Sequence, residues 1–425
     1  MPINVWRRSA AAARVALRRS ASTSSAPTAQ RPLRIHGLPS ATSARGIPVR
    51  FGRVERRQLS STSNAPSIWQ LAEQLRSVDV KGDREPVVSA IQSVVIRPGS
   101  TDEREAQALD IIQSKVLESL LELLADERLT DFHVPTYLAL IKLSAEPLIS
   151  QELLRLNAPS TVATYCGHAD PRLQAAACLT LGNLALEPTS ELAMASVEVI
   201  DPLFGVLVSP HEAIKRAAVT TIATIAGSPR GRQQLCEMDR IMTLCALLSS
   251  DHCTVEYLFV DLWMGYSQNC VSLPPDSLRS AVAFALGNIL SDHDASAQDA
   301  LRDSGALPDL ILLVSPAFPD DVCSSAAWAI HHGVHQNHAS QSMVAEAGGL
   351  GLLFQHVFAD DETLQTNALL ALESTITGHS GNTESCRNNV DAVQLLEVLR
   401  EQAADEGDLS PTATRALDAL LQQVR

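Results

Sequence analysis

The sequence predicts an all-α protein, built as a solenoid of repeated helical units and not as one globular core. Its 425 residues exceed what one ordinary core accommodates. Aromatic residues make up only 4% of the chain, while strong helix formers such as Ala and Leu are abundant. One helical pattern also returns along the chain. Together these observations favour an array of helices that stack on one another.

The repeating pattern is clearest at 173–185 (LQAAACLTLGNLA) and 278–290 (LRSAVAFALGNIL). Both stretches have small residues in the middle, and an apolar residue followed four positions later by Asn. Small residues let neighbouring helices approach closely, and the apolar ones fill the seam between them. With this pattern as a template, helix starts are predicted at Phe132, Leu173, Ile214, Leu278, Val322, Leu364 and Leu409, at spacings of 41, 41, 64, 44, 42 and 45 residues.

Residues 1–59 are predicted to be a mitochondrial transit peptide. They contain twelve Arg, no Lys and one acidic residue, Glu55. Residues 5–19 can form a basic amphipathic helix, and the apolar core that a secretory signal needs is absent. Arg57 lies three residues before Ser60, the spacing of a matrix processing site. The alternative is a disordered Arg- and Ser-rich tail, but the composition favours import to the matrix or the matrix face of the inner membrane.

Residues 60–102 are predicted to be a lead-in with N-terminal capping helices. Residues 60–66 read as a flexible segment, helical patterns follow at 67–78 and 86–96, and Pro98-Gly99 ends the second. A longer helical pattern at 103–125 begins the solenoid, which is predicted to extend over 103–425. The early units match the template poorly, as terminal repeats usually do.

Most units show signs of three helices. A second apolar helix precedes each template helix, for example at 203–207 and 310–313. A turn with Gly or Pro precedes several of these, as at 304–308 (SGALP) and 347–350 (AGGL). A repeat of 40–47 residues is typical of HEAT and armadillo units, and armadillo units have three helices with a Gly turn between the first two. The chain therefore resembles the armadillo-repeat family over about 130–425. The resemblance implies a right-handed superhelical solenoid of about six to seven armadillo-type repeats.

Residues 297–377 are the most similar to importin α repeats. In that family the third helix of a unit carries a Trp and, four residues later, an Asn that hydrogen-bonds the backbone of an extended basic peptide. Trp and Asn never occur together in one helix of this chain. The Trp position holds Leu138, Leu179, Thr220, Phe284, Trp328 and Leu370, and the Asn position holds Lys142, Asn183, Thr224, Asn288, His332 and Ser374.

The resemblance implies a protein-binding groove along the third helices. An Asn side chain offers both a donor and an acceptor to an extended backbone. The alternative is that the aromatic residues plug the core between units and the Asn residues satisfy neighbouring helix ends. The predicted groove residues are Asn183, Thr224, Phe284, Asn288, Trp328 and His332.

The 64-residue spacing predicts an insertion near 252–275. It contains Tyr257, Phe259, Trp263 and Tyr266, and such residues are typical interface anchors. The insertion could instead fold back and pack on the solenoid.

No catalytic, nucleotide-binding or calcium-binding motif occurs in the chain. A continued helix would place His331, His335 and His338 on one face, where neutral imidazoles could bind zinc. Gly333 and the following Gln336-Asn337 pair favour a helix that frays there instead. We therefore predict no catalytic residue, no metal and no cofactor.

The charge of the chain bounds its partners. Residues 60–425 carry a net charge of −26, which opposes binding to nucleic acid or to an anionic lipid surface. It suits a protein partner that is basic or extended. No apolar run approaches the roughly 18–20 residues of a membrane span, so contact with a membrane would run through a complex.

Three functions are consistent with these features. The first is a non-enzymatic mitochondrial scaffold, such as a lineage-specific subunit or assembly factor of a respiratory or ribosomal complex. The second is a transport adaptor like importin α, which binds basic peptides in the cytosol and nucleus. Its basic N-terminal segment mixes Lys-Arg clusters with acids, whereas residues 1–54 here contain neither Lys nor acid. The third, an enzyme that uses the histidine cluster, has the least support.

Overall fold

The computed structural model describes residues 67–76, 83–248, 277–406 and 409–425. The predicted transit peptide at 1–59 lies outside the described residues. So does the predicted insertion, with Tyr257, Phe259, Trp263 and Tyr266. The described part of the chain consists of α-helices joined by turns and short 3₁₀ segments, and it contains no strand. The predicted all-α class is confirmed.

The described residues form 23 α-helices, of which the last 21 group into seven units of three. Before the units come α1 (Ile68–Arg76) and α2 (Arg84–Ser93). Units 1 to 3 comprise α3 (Thr101–Ser114), α4 (Val116–Ala125), α5 (Thr130–Leu143), α6 (Pro147–Arg155), α7 (Ala158–Ala163), α8 (Pro171–Ala185), α9 (Glu191–Met194), α10 (Val197–Val206) and α11 (Glu212–Ile225). Units 4 to 7 comprise α12 (Pro229–Leu235), α13 (Met238–Leu248), α14 (Ser277–Ile289), α15 (Ala295–Asp303), α16 (Ala306–Leu313), α17 (Asp320–Val334), α18 (His338–Glu346), α19 (Gly349–Phe354), α20 (Glu362–Ile376), α21 (Ser380–Asn388), α22 (Val390–Glu406) and α23 (Pro411–Val424).

The six predicted starts from Phe132 to Leu364 lie one or two residues inside their helices. Two other boundaries lie outside the predicted helix pattern. The single helix expected at 103–125 is two helices, because Lys115 adopts a left-handed conformation with φ 62° between α3 and α4. The last template helix does not begin at Leu409 but at Pro411. The Ser410 side chain accepts a hydrogen bond from the backbone N–H of Ala413 at 3.2 Å, so a Ser-Pro start sets the boundary.

The turn between the first and second helix is left-handed in four units. Gly305 and Gly348 adopt φ values of 77° and 79° there, as the Gly-rich turns in the sequence predicted. Lys115 and Asn157 occupy the equivalent turns of units 1 and 2 with φ values of 62° and 58°. A left-handed residue reverses the chain within one position, which places each second helix against its own first helix.

The third helices form the continuous core of the solenoid. Each of α5, α8, α11, α14, α17 and α20 packs on the third helix of the next unit. The two helices before unit 1 extend this order, since α1 packs on α4 and α2 packs on α5. Leu181 in α8 and Leu286 in α14 have no solvent exposure. The seams between third helices are therefore mainly apolar, and the few buried polar groups include Thr221, whose Oγ1 donates to the Cys178 carbonyl at 2.9 Å.

The first helices are joined by polar contacts instead. Arg104 forms an ion pair with Glu146, and the Arg232 guanidinium lies 2.8 Å from Asp292. The first pair links units 1 and 2, and the second joins α12 to the turn that follows α14, just before unit 5. Side-chain hydrogen bonds link the other first helices: Gln151 to Glu187, the N–H of Arg230 to Glu191, Asn337 to Asp299, and Asn382 to the carbonyl of Gln341.

Candidate functional site

Asn183 lies in the last turn of α8 and is half-buried. Its Nδ2 donates to the Ile141 carbonyl at 3.0 Å and to Ser144 Oγ at 3.1 Å, both at the end of α5. The amide group thus closes the end of the preceding third helix. Among the described residues, its Oδ1 atom accepts no hydrogen bond, which leaves one acceptor at this position for a ligand.

Asn288, at the equivalent place in α14, is bonded on both sides. Its Nδ2 donates to the Ala223 carbonyl in α11 at 3.1 Å, and its Oδ1 accepts from Trp328 Nε1 at 3.1 Å. The preceding Gly287 makes room for the indole, because a Cβ there would lie 2.2 Å from Trp328 Cδ1. Gly287, Asn288 and Trp328 therefore form one contact across the seam between units 4 and 5.

Phe284 and Thr224 complete the predicted groove on α14 and α11. Phe284 is 46% exposed, which is unusual for a large apolar side chain in the middle of a core helix. Thr224 is half-buried, and its Oγ1 donates to the Thr220 carbonyl within the same helix at 2.9 Å. As binding residues, the six groove positions stay predictions; the structure places Asn288, Trp328 and His332 together.

His332 is 6% exposed and belongs to a cluster of four imidazoles. Ring centroids are 4.4 Å apart for His331 and His332, 5.1 Å for His293 and His332, and 4.1 Å for His293 and His335. The edge of the His332 ring also meets Trp328 at 4.1 Å. Sequence reasoning missed His293, which follows α14. Residues that follow third helices of consecutive units lie side by side, and that rule could have found it.

Burial holds the imidazoles neutral. It lowers the pKa of His331 to about 4 and, together with the neighbouring rings, the pKa of His332 to about 2. Burial also lowers the pKa of His293 and of His335 from the usual value. His331 Nδ1 lies 2.6 Å from Ser374 Oγ and 3.1 Å from the Leu370 carbonyl. Both ring nitrogens of His332 and the Nδ1 of His293 are buried without a hydrogen-bond partner in the described structure.

His338 lies apart from this cluster. Helix α17 ends at Val334 and Gln336 adopts φ 55°, so the chain turns before His338 begins α18. The His338 ring lies near His379 instead, with centroids 5.8 Å apart. The shared face that a continued helix would give His331, His335 and His338 is not formed. Within the described ranges, no group of three metal-ligating side chains is arranged to hold a metal ion.

None of the described helices has the length and apolar character needed to cross a membrane. No family model matches the chain, and no curated protein matches its sequence.

Solved structures do match. An engineered protein from a structural genomics consortium superimposes with a TM-score of 0.55 at 18% identity, covering 84% of this chain and 88% of that one. A designed armadillo repeat protein gives 0.51 at 18% identity, covering 63% and 99%. A structure of computationally designed armadillo repeat proteins for modular peptide recognition gives 0.50 at 19% identity, covering 62% and 98%. With seven three-helix units and these structural neighbours, the chain is an all-α solenoid of armadillo-type repeats.

Proposed function

We propose that this protein is a non-enzymatic scaffold of mitochondria that binds a protein partner along its third helices. It would serve as a subunit or assembly factor of a larger complex, such as a respiratory or ribosomal one. The fold supports the first part, since solenoids offer long surfaces to extended peptides or flat subunit faces. One of its structural neighbours was designed for modular peptide recognition. The Arg-rich, acid-free residues 1–54 support the compartment.

The observation that carries the proposal is the exposure of Phe284 on a third helix. Aromatic side chains, Phe among them, are enriched in protein–protein interfaces. Leu138, Leu179 and Leu370 hold the equivalent position in α5, α8 and α20, and all three are half-buried. A partner would therefore meet a row of apolar contact points with a spacing set by the repeat.

The residues at the Asn position of successive third helices, here called the ladder, have a different role in this proposal. Both donors of Asn183, and one donor and the carbonyl oxygen of Asn288, form hydrogen bonds within the protein. Recognition would then rest on side chains at Phe284 and its equivalents, with the Asn183 Oδ1 as an additional acceptor. Asn288, Trp328 and His332 hold the units in register, so they shape the surface.

The test is site-specific photo-crosslinking in isolated mitochondria. A photoreactive amino acid is placed at 284 and, as a matched control, at 312 on the second helix α16, where Leu312 is 60% exposed. We expect one dominant partner from position 284, its loss in a Phe284→Ser background probed from a neighbouring site, and no such partner from position 312.

Two results would contradict the proposal. Equal crosslinking from both positions would show that the third helices are not the binding surface. Absence of the protein from purified mitochondria would remove the compartment and favour the importin α-like adaptor. A parallel deletion of 255–274 separates the groove from the insertion, because a partner lost only in that deletion binds the insertion.

A further inference from the structure

The four-histidine cluster, formed by His293, His331, His332 and His335, lies where three third helices meet. His293 follows α14, the other three belong to the end of α17, and His331 contacts Leu370 and Ser374 of α20. Neutral rings can pack at centroid distances of 4.1–5.1 Å, as these do: His293 stacks on His335, and the pairs His293–His332 and His331–His332 are tilted. Imidazolium ions at such distances repel one another strongly, because burial weakens solvent screening.

The imidazole of His332 makes no hydrogen bond within the described structure. It is 6% exposed, and neither ring nitrogen has a partner in the described structure. A buried polar group without a partner is costly and calls for a specific explanation. Besides the rings of His293 and His331, the imidazole packs at a right angle against Trp328, whose Nε1 donates to Asn288. A neutral His332 therefore supports the Trp328–Asn288 contact across the seam.

The charged groups around the cluster do not compensate for added protons. Asp292 lies beside His293, but Arg232 of α12 is paired with this carboxylate at 2.8 Å and also faces His332. Helix α20 contributes the Leu370 carbonyl and Ser374 Oγ. Helix α15 contributes the Gln298 amide, which donates to the carbonyls of His332 and His335. Among the residues that the structure describes, one carboxylate, shared with an arginine, thus faces four imidazoles.

We propose that the four-histidine cluster is an acid-sensitive latch. When its imidazoles take up protons, the last turn of α17 loosens and Trp328 separates from Asn288. The seam between units 4 and 5 then opens on its exposed side, next to Phe284. An effect of the latch on partner binding rests on the proposed function. The opening of the seam does not, because it involves only residues of this chain.

The direction of the pH effect follows from the neutral state of the buried rings. Because their pKa values in the closed state lie below the ordinary value near 6.5, the open state binds more protons. The closed latch is at full stability above pH 6.5 and loses stability as the pH falls towards 4, the pKa of His331. Each imidazole that is protonated on opening makes the open fraction rise about tenfold per pH unit.

The experiment follows the indole N–H of Trp328 by NMR between pH 8 and pH 5 on the full chain, with the signal assigned by Trp328→Phe. We expect the Trp328 signal to weaken or shift below pH 6.5 and amide exchange to rise in 320–334 and 277–289. In His293→Asn the pH dependence should become shallower by about tenfold per pH unit. Asn tolerates the left-handed φ of 57° at this position.

Two further variants keep the test decisive. His338→Asn, at an exposed histidine outside the cluster, should behave as the parent protein does. His332→Asn should also flatten the pH dependence, and it serves if His293→Asn does not fold. An unchanged Trp328 signal from pH 8 to pH 5, or a full pH response in a folded cluster variant, would overturn the latch.

Partner binding is measured separately at pH 8, where the latch is closed. If the Trp328 NMR signal does not change with pH and a partner is crosslinked at position 284, the latch is contradicted and the scaffold function is supported. If the Trp328 NMR signal changes with pH and no partner is crosslinked, the scaffold function is contradicted and the latch is supported.

Discussion

Asn183 and Asn288 make the same contact with the preceding third helix but different contacts with the following one. In both seams the Asn amide donates to a carbonyl in the preceding third helix. Asn183 bonds the carbonyl of Ile141 and Asn288 that of Ala223, and each carbonyl lies one residue before the Asn position of its own helix. The third helix of the following unit determines whether the Asn oxygen has a partner. Helix α11 brings Thr220 to the Trp position, whereas α17 brings Trp328, which bonds the Asn288 Oδ1. The role of a ladder residue is thus set by the next unit and not by its own.

We call the seam at Asn183 the open seam and the seam at Asn288 the closed seam. At Asn183 an acceptor is left over and no large aromatic ring covers it. At Asn288 the amide nitrogen and the amide oxygen both form hydrogen bonds within the protein, and a histidine cluster covers the adjoining helix end. A partner that needs polar contacts would find one at Asn183, and the closed seam supplies rigidity beside Phe284.

The largest effect should be the same at both seams, because their apolar cores are alike. Leu181 and Leu286 are both fully buried, so replacing either with Ala should lower the free energy of unfolding by about 2–5 kcal/mol. Chemical denaturation measures the loss, and hydrogen exchange should place it mainly in adjacent units. A loss below roughly 0.5 kcal/mol at only one of the two sites would show that the two seams differ already in their apolar packing.

The Gly before each Asn should separate the seams. A Cβ at 287 would lie 2.2 Å from Trp328, while at 182 the nearest neighbouring atom is Thr221 Oγ1 at 3.0 Å. Gly287→Ala should therefore cost about 1–3 kcal/mol from overpacking, and Gly182→Ala clearly less. The double variant Gly287→Ala/Trp328→Leu is the control. If it is no more stable than Gly287→Ala alone, the indole is not the source of the cost.

The Asn residues should differ by a smaller amount. Asn288→Ala leaves the half-buried Trp328 Nε1 without its acceptor and should cost about 1–2 kcal/mol. Asn183→Ala frees acceptors only and should cost about 1 kcal/mol or less. A double-mutant cycle of Asn288→Ala with Trp328→Phe measures the pair directly. A coupling energy near zero would show that the hydrogen bond across the closed seam contributes nothing.

The smallest effects should come from the left-handed turns, which differ between the two halves of the chain. Gly305→Ala places a Cβ at φ 77° and should cost about 1 kcal/mol. Lys115→Gly removes the same strain in unit 1 and should gain less than about 1 kcal/mol, because Gly also loosens the unfolded chain. Melting temperatures of the two variants should shift in opposite directions. A shift in the same direction would mean that Lys115 gains more from its contacts than it loses to strain.

Sequence reasoning predicted most of the helices but missed particular boundaries. The repeat period and the turns at Gly305 and Gly348 were sufficient for the solenoid and its three-helix units. Lys115 could not be identified as a turn, because Lys has no local preference for the left-handed conformation, and the buried Val116 and Leu117 hold it there. The apolar period predicts a helix start at Leu409, whereas the Ser410-Pro411 pair starts the helix two residues later.

The candidate site shows the same division more sharply. The sequence by itself determined which residues occupy the ladder positions, because an α-helix repeats its faces every 3.6 residues and the units repeat about every 42. It also determined that Asn183 and Asn288 can donate and accept hydrogen bonds. Only the tertiary structure decided which bonds they make. Asn288 and Trp328 are 40 residues apart along the chain and meet across 3.1 Å, and His293 reaches His335 in the same way. Such contacts form only when one unit stacks on the next, and no local pattern records which atoms that stacking brings together.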